Sequence, residues 1–253
     1  MGIVNATPDS FSGGEIDSDR AIALGRCLFS AGADIVDVGG ESTRPHAAPV
    51  ALEEELRRVL PVVRALAESG VVSVDTYKAR VAAEAILAGA RIVNDISGGI
   101  LDEEMLAAVA ATDAIVVLGH IRGTPITMMD LARYDDVVIE VRDELLARIA
   151  AARAAGIPDD RIWIDPGFGF AKKAEHTLEL LAHLDVLIAL GHPVVVGASR
   201  KSFLSPSDAS VAVENRETAT AAANAIAAWQ GAAVLRVHDV AGQMPAIRLQ
   251  RSL

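Results

Sequence analysis

Ile162-Trp163-Ile164-Asp165-Pro166-Gly167-Phe168-Gly169-Phe170-Ala171-Lys172 is the stretch on which the fold reading turns. Ile-Trp-Ile is short, apolar and made of residues that fit a pleated, buried surface. Asp165 stands where that strand ends. Pro166 and Gly167 then break the ladder and turn the chain. A helical pattern starts near Ala174. The unit is strand, carboxylate, Gly-rich turn, helix. Taken alone, Asp165 has an ordinary explanation as the cap of the turn that follows it. The arrangement recurs along the chain, and the recurrence gives it weight.

Working outward, the sequence predicts strands at 2–6, 34–38, 71–74, 91–94, 114–118, 161–164, 193–196 and 233–237. Between them it predicts helices at 19–31, 51–69, 78–88, 102–111, 134–155, 174–190 and 216–230, with a short last helix from about Pro245. The strands are apolar runs without strict alternation, as expected where both faces are covered and the sheet is parallel. Eight βα units in 253 residues predict an α/β fold of one domain over residues 1–253, a (β/α)8 TIM barrel. A doubly wound open sheet is the alternative, and eight regular units without a second domain favour closure.

Composition bounds the function. The net charge is −11 and aromatics make up 4% of residues. That balance argues against a nucleic-acid or anionic-membrane partner, each of which needs a basic face. It leaves room for an anionic substrate wherever local arginines and lysines gather. Half the residues are hydrophobic, with a mean hydropathy of +0.34, but no run reaches the roughly 18 apolar residues of a membrane span. The start lacks the pattern of a signal peptide, so a cytoplasmic protein is expected. Cys27, the single cysteine, excludes an intramolecular disulfide and is read as a small buried hydrophobe. Trp163 and Trp229 are read as core. His46, His176, His183 and His192 are read as surface or capping groups, and Glu53, Glu54 and Glu55 as a solvated helix start.

In a (β/α)8 barrel the site lies at the C-terminal ends of the strands. Here the strands end on Asn5, Asp37, Asp75-Thr76, Asn94-Asp95, His120, Asp165, Ser199-Arg200-Lys201-Ser202 and Arg236-Val237-His238-Asp239. Eight polar ends in one mouth are costly to bury without a ligand or mutual pairing. They sort into two groups. Asp75, Asn94 and Asp165 suit a flat heterocycle with adjacent N–H donors, such as a 2-amino-4-oxo pyrimidine edge. Arg44, Arg200, Lys201, Arg236 and His238 suit a phosphate or diphosphate, with Asn5 able to offer an oxygen to a bridging Mg2+.

The same residues carry a family resemblance. Met1-Gly2-Ile3-Val4-Asn5-Ala6-Thr7-Pro8-Asp9-Ser10-Phe11-Ser12 resembles the opening of dihydropteroate synthases. Asp34-Ile35-Val36-Asp37-Val38-Gly39-Gly40-Glu41-Ser42-Thr43-Arg44-Pro45 is also similar, as are Ser73–Thr76, Val93–Gly99, Asp165–Lys172, Gly197–Phe203 and Arg236–Val240. The matches are in family order and cover nearly the whole chain. The resemblance implies condensation of 6-hydroxymethyl-7,8-dihydropterin diphosphate with p-aminobenzoate, giving 7,8-dihydropteroate and pyrophosphate for folate synthesis. It implies that Asp75, Asn94, Asp165 and Lys201 hold the pterin. Asn5, Arg44, Arg236 and His238 would hold the diphosphate, with Asn5 on Mg2+. Thr43, Arg44, Pro45, Phe170, Lys201 and Ser202 would line the p-aminobenzoate side. Lys201, Asp165, Arg236 and His238 are the implied catalytic groups of an SN1-like, magnesium-assisted transfer. A homodimer through the last helices and inhibition by sulfonamides are implied as well.

Departures from the family pattern keep two other readings open. Loop 1, Ser10-Phe11-Ser12-Gly13-Gly14-Glu15, lacks the aspartate many members carry before the paired glycines and is a residue or two short, although Asp9 is kept. Gly119 stands where a Met that would pack on the pterin is usual. Ala171 replaces a common Gly, and Leu204-Ser205-Pro206-Ser207 lacks the usual one. A hairpin ahead of the first strand is absent, and the last helix is read as brief. A pterin-binding homologue without turnover is therefore one alternative. A methyl-tetrahydrofolate:corrinoid methyltransferase is the other, but it gives Ser-Arg-Lys-Ser and Arg-Val-His-Asp no task.

Overall fold

A computed structural model describes residues 1–7, 18–205, 212–250 and 252. Loop 1 with Asp9, and the Pro206-Ser207 end of the later loop, lie outside the described residues. Eight strands occur among those described: β1 (Gly2–Asn5), β2 (Ile35–Gly39), β3 (Val71–Asp75), β4 (Ile92–Asp95), β5 (Ile115–Gly119), β6 (Ile162–Asp165), β7 (Val195–Val196) and β8 (Val234–Leu235). β1 to β6 pair in sequence order, all parallel, and β7 pairs with β8. Two single bridges, Ile164↔Val194 and Gly2↔Val237, join the two sheets at both seams. Across the second seam Ile3 N donates to Val237 O at 3.0 Å and Val237 N to Met1 O at 2.9 Å. Every strand thus has two neighbours, the sheet has no free edge, and the barrel is closed.

The helices are α1 (Ser18–Ser30), α2 (Leu52–Ala67), α3 (Ala79–Leu87), α4 (Met105–Ala110), α5 (Val137–Ala154), α6 (Ala174–Ala182), α7 (Leu184–Ile188), α8 (Glu217–Gln230) and α9 (Val240–Gln250). Two differ from the sequence reading. The run expected at 174–190 breaks at His183, because the Leu184 N–H turns to the Gln230 side chain on α8 at 3.1 Å. The last helix starts at Val240, well before Pro245, and is not brief. Asp239 starts it by accepting from Gly242 N at 2.9 Å, a cap that outweighs the preference of proline for the first turn. Among the described residues no helix is long and apolar enough to cross a membrane.

Two apolar layers result. The larger core packs helices on the outside of the sheet and includes Val36, Val74, Leu66, Val141 and Leu184. A small inner cluster holds Ile92, Val117 and Val195, with Ile35, Ile115, Trp163 and Val234 against it. Trp163 is therefore core, as read. Trp229 is not: it is 70% exposed on α8. Cys27 is also exposed, on the outer side of α1. An apolar residue in a helical pattern faces the core only if its angle on the helix suits, and both residues lie off that stripe. His192, read as a surface or capping group, is buried, and its Nδ1 lies 3.1 Å from Ile162 O.

Glu55 corrects another expectation. It is 1% exposed, not solvated. The Lys78 ammonium bonds Glu41, Glu55 and, at 2.9 Å, Val50 O. Thr76 Oγ1 donates to Glu55 at 2.7 Å and Tyr77 OH donates to Glu41. One cation thereby ties the loop after β2 to α2 and to the end of β3. Removing one member of a buried ion group leaves its partners uncompensated. Lys78→Ala should cost about 3 kcal/mol or more in urea unfolding at pH 8. The cost should shrink when the unfolding is repeated at lower pH, because burial raises the Glu55 carboxyl and favours its neutral form.

Candidate active site

Strand alternation sets the floor of the site. The inner apolar layer is Ile35, Ile92, Val117, Trp163, Val195 and Val234. Two residues further along each strand, on the same face, come Asp37, Asn94, Gly119, Asp165, Gly197 and Arg236. Register adds Asp75, paired with Asn94, and Asn5, paired with Gly39. An acidic and amide layer thus sits directly on an apolar plug at the C-terminal mouth.

Arg236 is the centre of this layer. Its Nε lies 2.6 Å from Asp37 Oδ2 and its Nη2 2.6 Å from Asp75 Oδ2. Asn94 Nδ2 donates to the same Asp37 oxygen at 3.0 Å. Asp37, one of the polar strand ends in the sequence, therefore belongs at the centre of the floor, a role its position alone did not reveal. Asp37 Oδ1 and Asp75 Oδ1 are buried without a hydrogen-bond partner among the described residues. Burial pushes the Asp75 carboxyl up to about 7, against the pull of Arg236. Burial opposes the Arg236 cation, but Asp37 and Asp75 outweigh it and hold its pKa above the usual value.

A second charged pair stands beside the first. Asp165 Oδ1 accepts from Gly167 N at 2.6 Å, so the residue read from the sequence as a ligand acceptor is also the cap of the turn. Burial raises the Asp165 carboxyl, and Lys201 opposes the rise. Lys201 Nζ donates to Phe168 O at 2.5 Å and lies 4.7 Å from the centre of the Phe170 ring. Burial lowers Lys201 to about 8, with Asp165 acting against it. Phe168 and Phe203 meet edge to face at 5.8 Å below. Thr43 is half-buried, while Arg44, Pro45 and Ser202 are exposed at the rim.

His238 joins the site from the last strand end. Its Nδ1 lies 2.9 Å from Ser199 Oγ, and that hydroxyl also accepts from His238 N at 3.2 Å. Burial and the cations Arg200, Arg236, Arg44 and Lys201 hold its imidazole near 3. It is a neutral hydrogen-bonding group, not a standing charge. Arg200 itself is drawn away: its Nε pairs with Glu217 at the start of α8, at 2.5 Å. Asn5 is half-buried, and its side chain makes no hydrogen bond to the described residues. Among the described residues no cluster of three His, Cys, Asp or Glu side chains gathers around a metal position. A metal here would rest on Asn5 and on oxygens brought by a ligand, a donor set that suits magnesium.

The apolar wall differs from expectation. A Cβ at Gly119 would lie 2.6 Å from Ile96 Cα and 2.7 Å from Asp95 O. This backbone has no room for a side chain there. Ile96 supplies the wall instead, packed with Ile121, Met128 and Ala171 and flanked by Tyr77 and Phe170. Asp95 serves its own loop, accepting from Ser97 N at 2.8 Å and Gly99 N at 2.7 Å.

His120 lies under the site in a buried chain. Its Nδ1 is 2.7 Å from Lys172 Nζ and its Nε2 2.9 Å from Glu144 Oε2. Lys172 donates also to Gly167 O at 3.2 Å and Phe170 O at 3.0 Å, so it fastens the loop after β6. With Lys172 donating to Nδ1, the imidazole proton sits on Nε2 and faces Glu144. Burial, then Lys172, depresses His120 from 6.5 to about 3, against Glu144. A depressed histidine contributes stability that is whole above the unfolded pKa and is lost as pH falls towards the folded one. His120, and His238 with it, should therefore lower urea stability as pH falls from 6.5, while the raised Asp75 carboxyl acts in the opposite direction. His120→Gln should flatten the fall by up to about 1.4 kcal/mol per pH unit, read by unfolding at pH 7, 6 and 5.

Comparison with known proteins gives this geometry a family. The profile of the pterin binding enzyme family matches residues 1–238. The dihydropteroate synthase of Synechocystis sp. is 45% identical over 244 residues, which are 95% of this chain and 84% of that one. A Xanthomonas albilineans dihydropteroate synthase structure with 4-aminobenzoic acid is 45% identical with a TM-score of 0.93, covering 100% of this chain and 91% of that one. The same organism's enzyme in complex with 7,8-dihydropteroate is 42% identical with a TM-score of 0.90, covering 100% and 92%. The family match spans most of the chain and the relatives are covered over most of their own length, so the chain belongs to the dihydropteroate synthase family of pterin-binding enzymes.

Proposed function

We propose that this chain condenses 6-hydroxymethyl-7,8-dihydropterin diphosphate with p-aminobenzoate, giving 7,8-dihydropteroate and pyrophosphate. The observation that carries the reading is the floor of Asp75, Asn94 and Asp165 with Arg236 and Lys201 against it, in a member of this family. Relatives whose structures hold 4-aminobenzoic acid and 7,8-dihydropteroate support both the acceptor and the product.

The residues divide the work. Asp75, Asn94 and Asp165 accept the N–H donors of the pterin edge, and the charged acceptors make these bonds strong. Lys201 stands between that edge and the Phe170 ring, so it can touch both substrates. Arg44, Arg236 and neutral His238 line the diphosphate side and stabilise negative charge as it gathers on the leaving group. The carbon–oxygen bond from the pterin methylene to the diphosphate breaks with its electron pair going to pyrophosphate. Asp165 offsets the positive charge left on the pterin. The p-aminobenzoate amine forms the new carbon–nitrogen bond and releases a proton to water. Thr43, Arg44, Pro45, Phe170, Lys201 and Ser202 line the approach of that amine. No covalent protein nucleophile is needed, and Ser199 is occupied with His238. Asn5 would help to hold a Mg2+ ion, which would supply Lewis-acid stabilisation of the leaving charge.

The same proposal holds that one barrel domain over residues 1–253 carries the whole site, in the cytoplasm, with no nucleic-acid or membrane partner. Cell fractionation tests the location. A sulfonamide, as a p-aminobenzoate mimic, would compete at the rim. A homodimer through the last helices fits the exposed Ile226, Trp229 and Leu249, at 49%, 70% and 65%. Sedimentation should give twice the 26.4 kDa chain mass at micromolar concentration. Trp229→Glu should give the single mass, and a single mass for the unmutated chain rejects the dimer.

The deciding experiment is pyrophosphate release with pterin diphosphate and Mg2+, with and without p-aminobenzoate. Release coupled to dihydropteroate supports the synthase. Pterin binding without product would favour the homologue without turnover, and dependence on a corrinoid the methyltransferase. Asp165→Asn should keep the fold and weaken pterin binding by about tenfold or more, as a charged acceptor becomes an amide with donors facing donors. Unchanged affinity in calorimetry rejects that role.

A further inference from the structure

The acceptor character of the floor depends on which way the Asn94 amide points. An amide can present either its oxygen or its nitrogen to a ligand. Here the choice is made by a neighbour. Asn94 lies 3.0 Å from Asp37 Oδ2, and the same oxygen is 2.6 Å from Arg236 Nε. A carboxylate held by a guanidinium offers only lone pairs, so the Asn94 atom facing it is the NH2 nitrogen. The Asn94 carbonyl oxygen is turned the other way and has no partner among the described residues. Asp37 also draws Arg236 down into the floor, which leaves Asp75 bonded through Oδ2 alone and its Oδ1 unpartnered.

We propose that Asp37 is a positioning residue for heterocycle recognition: it fixes Asn94 with its oxygen towards the ligand and shares Arg236 so that Asp75 keeps one oxygen free. The inference rests on the pterin reading given above. Asp37 touches no ligand in this scheme. It is fully buried on β2, and its neighbour in register, Ser73, is buried with an unpartnered hydroxyl. Without the Asp37 charge, Asn94 is free to rotate its amide by a half turn and offer donors to a ligand edge that is itself made of donors. Asp75 then stands as the single carboxylate partner of Arg236. The site would change from reading a donor edge to reading it poorly, with little loss of packing, because Asp and Asn have nearly the same shape.

A double-mutant cycle separates positioning from general damage. Asp37→Asn should weaken binding of the dihydropterin diphosphate by about tenfold in calorimetry, with KM for p-aminobenzoate unchanged. In an Asn94→Ala background the same substitution should cost about threefold or less, since the amide it steers is gone. Equal costs in both backgrounds would overturn the proposal. A second measurement needs no variant. The Asn94 side-chain amide protons, held on Asp37, should exchange slowly with solvent in NMR of the ligand-free protein and keep that protection when pterin is added. Fast exchange in the free protein, or loss of protection on binding, would also overturn it. If the unmutated protein binds no pterin, the functional reading fails, while the exchange measurement still decides how Asp37 holds Asn94.

Discussion

One guanidinium shared by two buried carboxylates governs the mouth of this barrel. Arg236, at the end of the last strand, bonds Asp37 on β2 and Asp75 on β3. Buried charges are tolerated only when paired and hydrogen-bonded, and these are paired incompletely. Two carboxylate oxygens are left without partners, and the Asp75 carboxyl is pushed towards neutrality by burial. The free protein holds these groups at a cost. A ligand with matching donors relieves it, which couples binding to stability.

The loops around this floor are held by further buried ions. Lys78 clamps the loop after β2, which carries Thr43, Arg44 and Pro45. Lys172, with His120 and Glu144, clamps the loop after β6, which carries Phe168 and Phe170. Both lysines act beneath the surface that substrates would touch. Long, flexible rim residues are thus mounted on rigid bases, so the geometry needed at the reacting atoms is set by residues outside contact with them. The neutral His238 follows the same logic. Burial first, and then the surrounding cations, keep it uncharged, so it adds no charge to the cluster around it.

Much of this was legible in the chain. Apolar runs ending in Asp, Asn, His or Arg gave the barrel and located its working end, because strand alternation and connection direction are local consequences of sequence. Asp75, Asn94 and Asp165 could be grouped by donor chemistry alone. Other residues could not be assigned this way. Glu55 looked like a solvated helix start and is buried on Lys78. Arg200 looked like an anion ligand and is drawn to Glu217. Trp229 looked like core and is exposed. In each case the side chain's fate depended on what a distant segment offered.

By itself, the sequence determined the element order, the inward positions and the chemical types at the strand ends. Only the tertiary structure decided who pairs with whom. Arg236 meets Asp37 across 199 residues of chain and Asp75 across 161. No local pattern encodes that choice, because it arises when closure of the barrel brings the last strand beside the first and its side chain reaches over to the second and third. The orientation of Asn94, and with it the donor or acceptor face of the floor, follows from that closure.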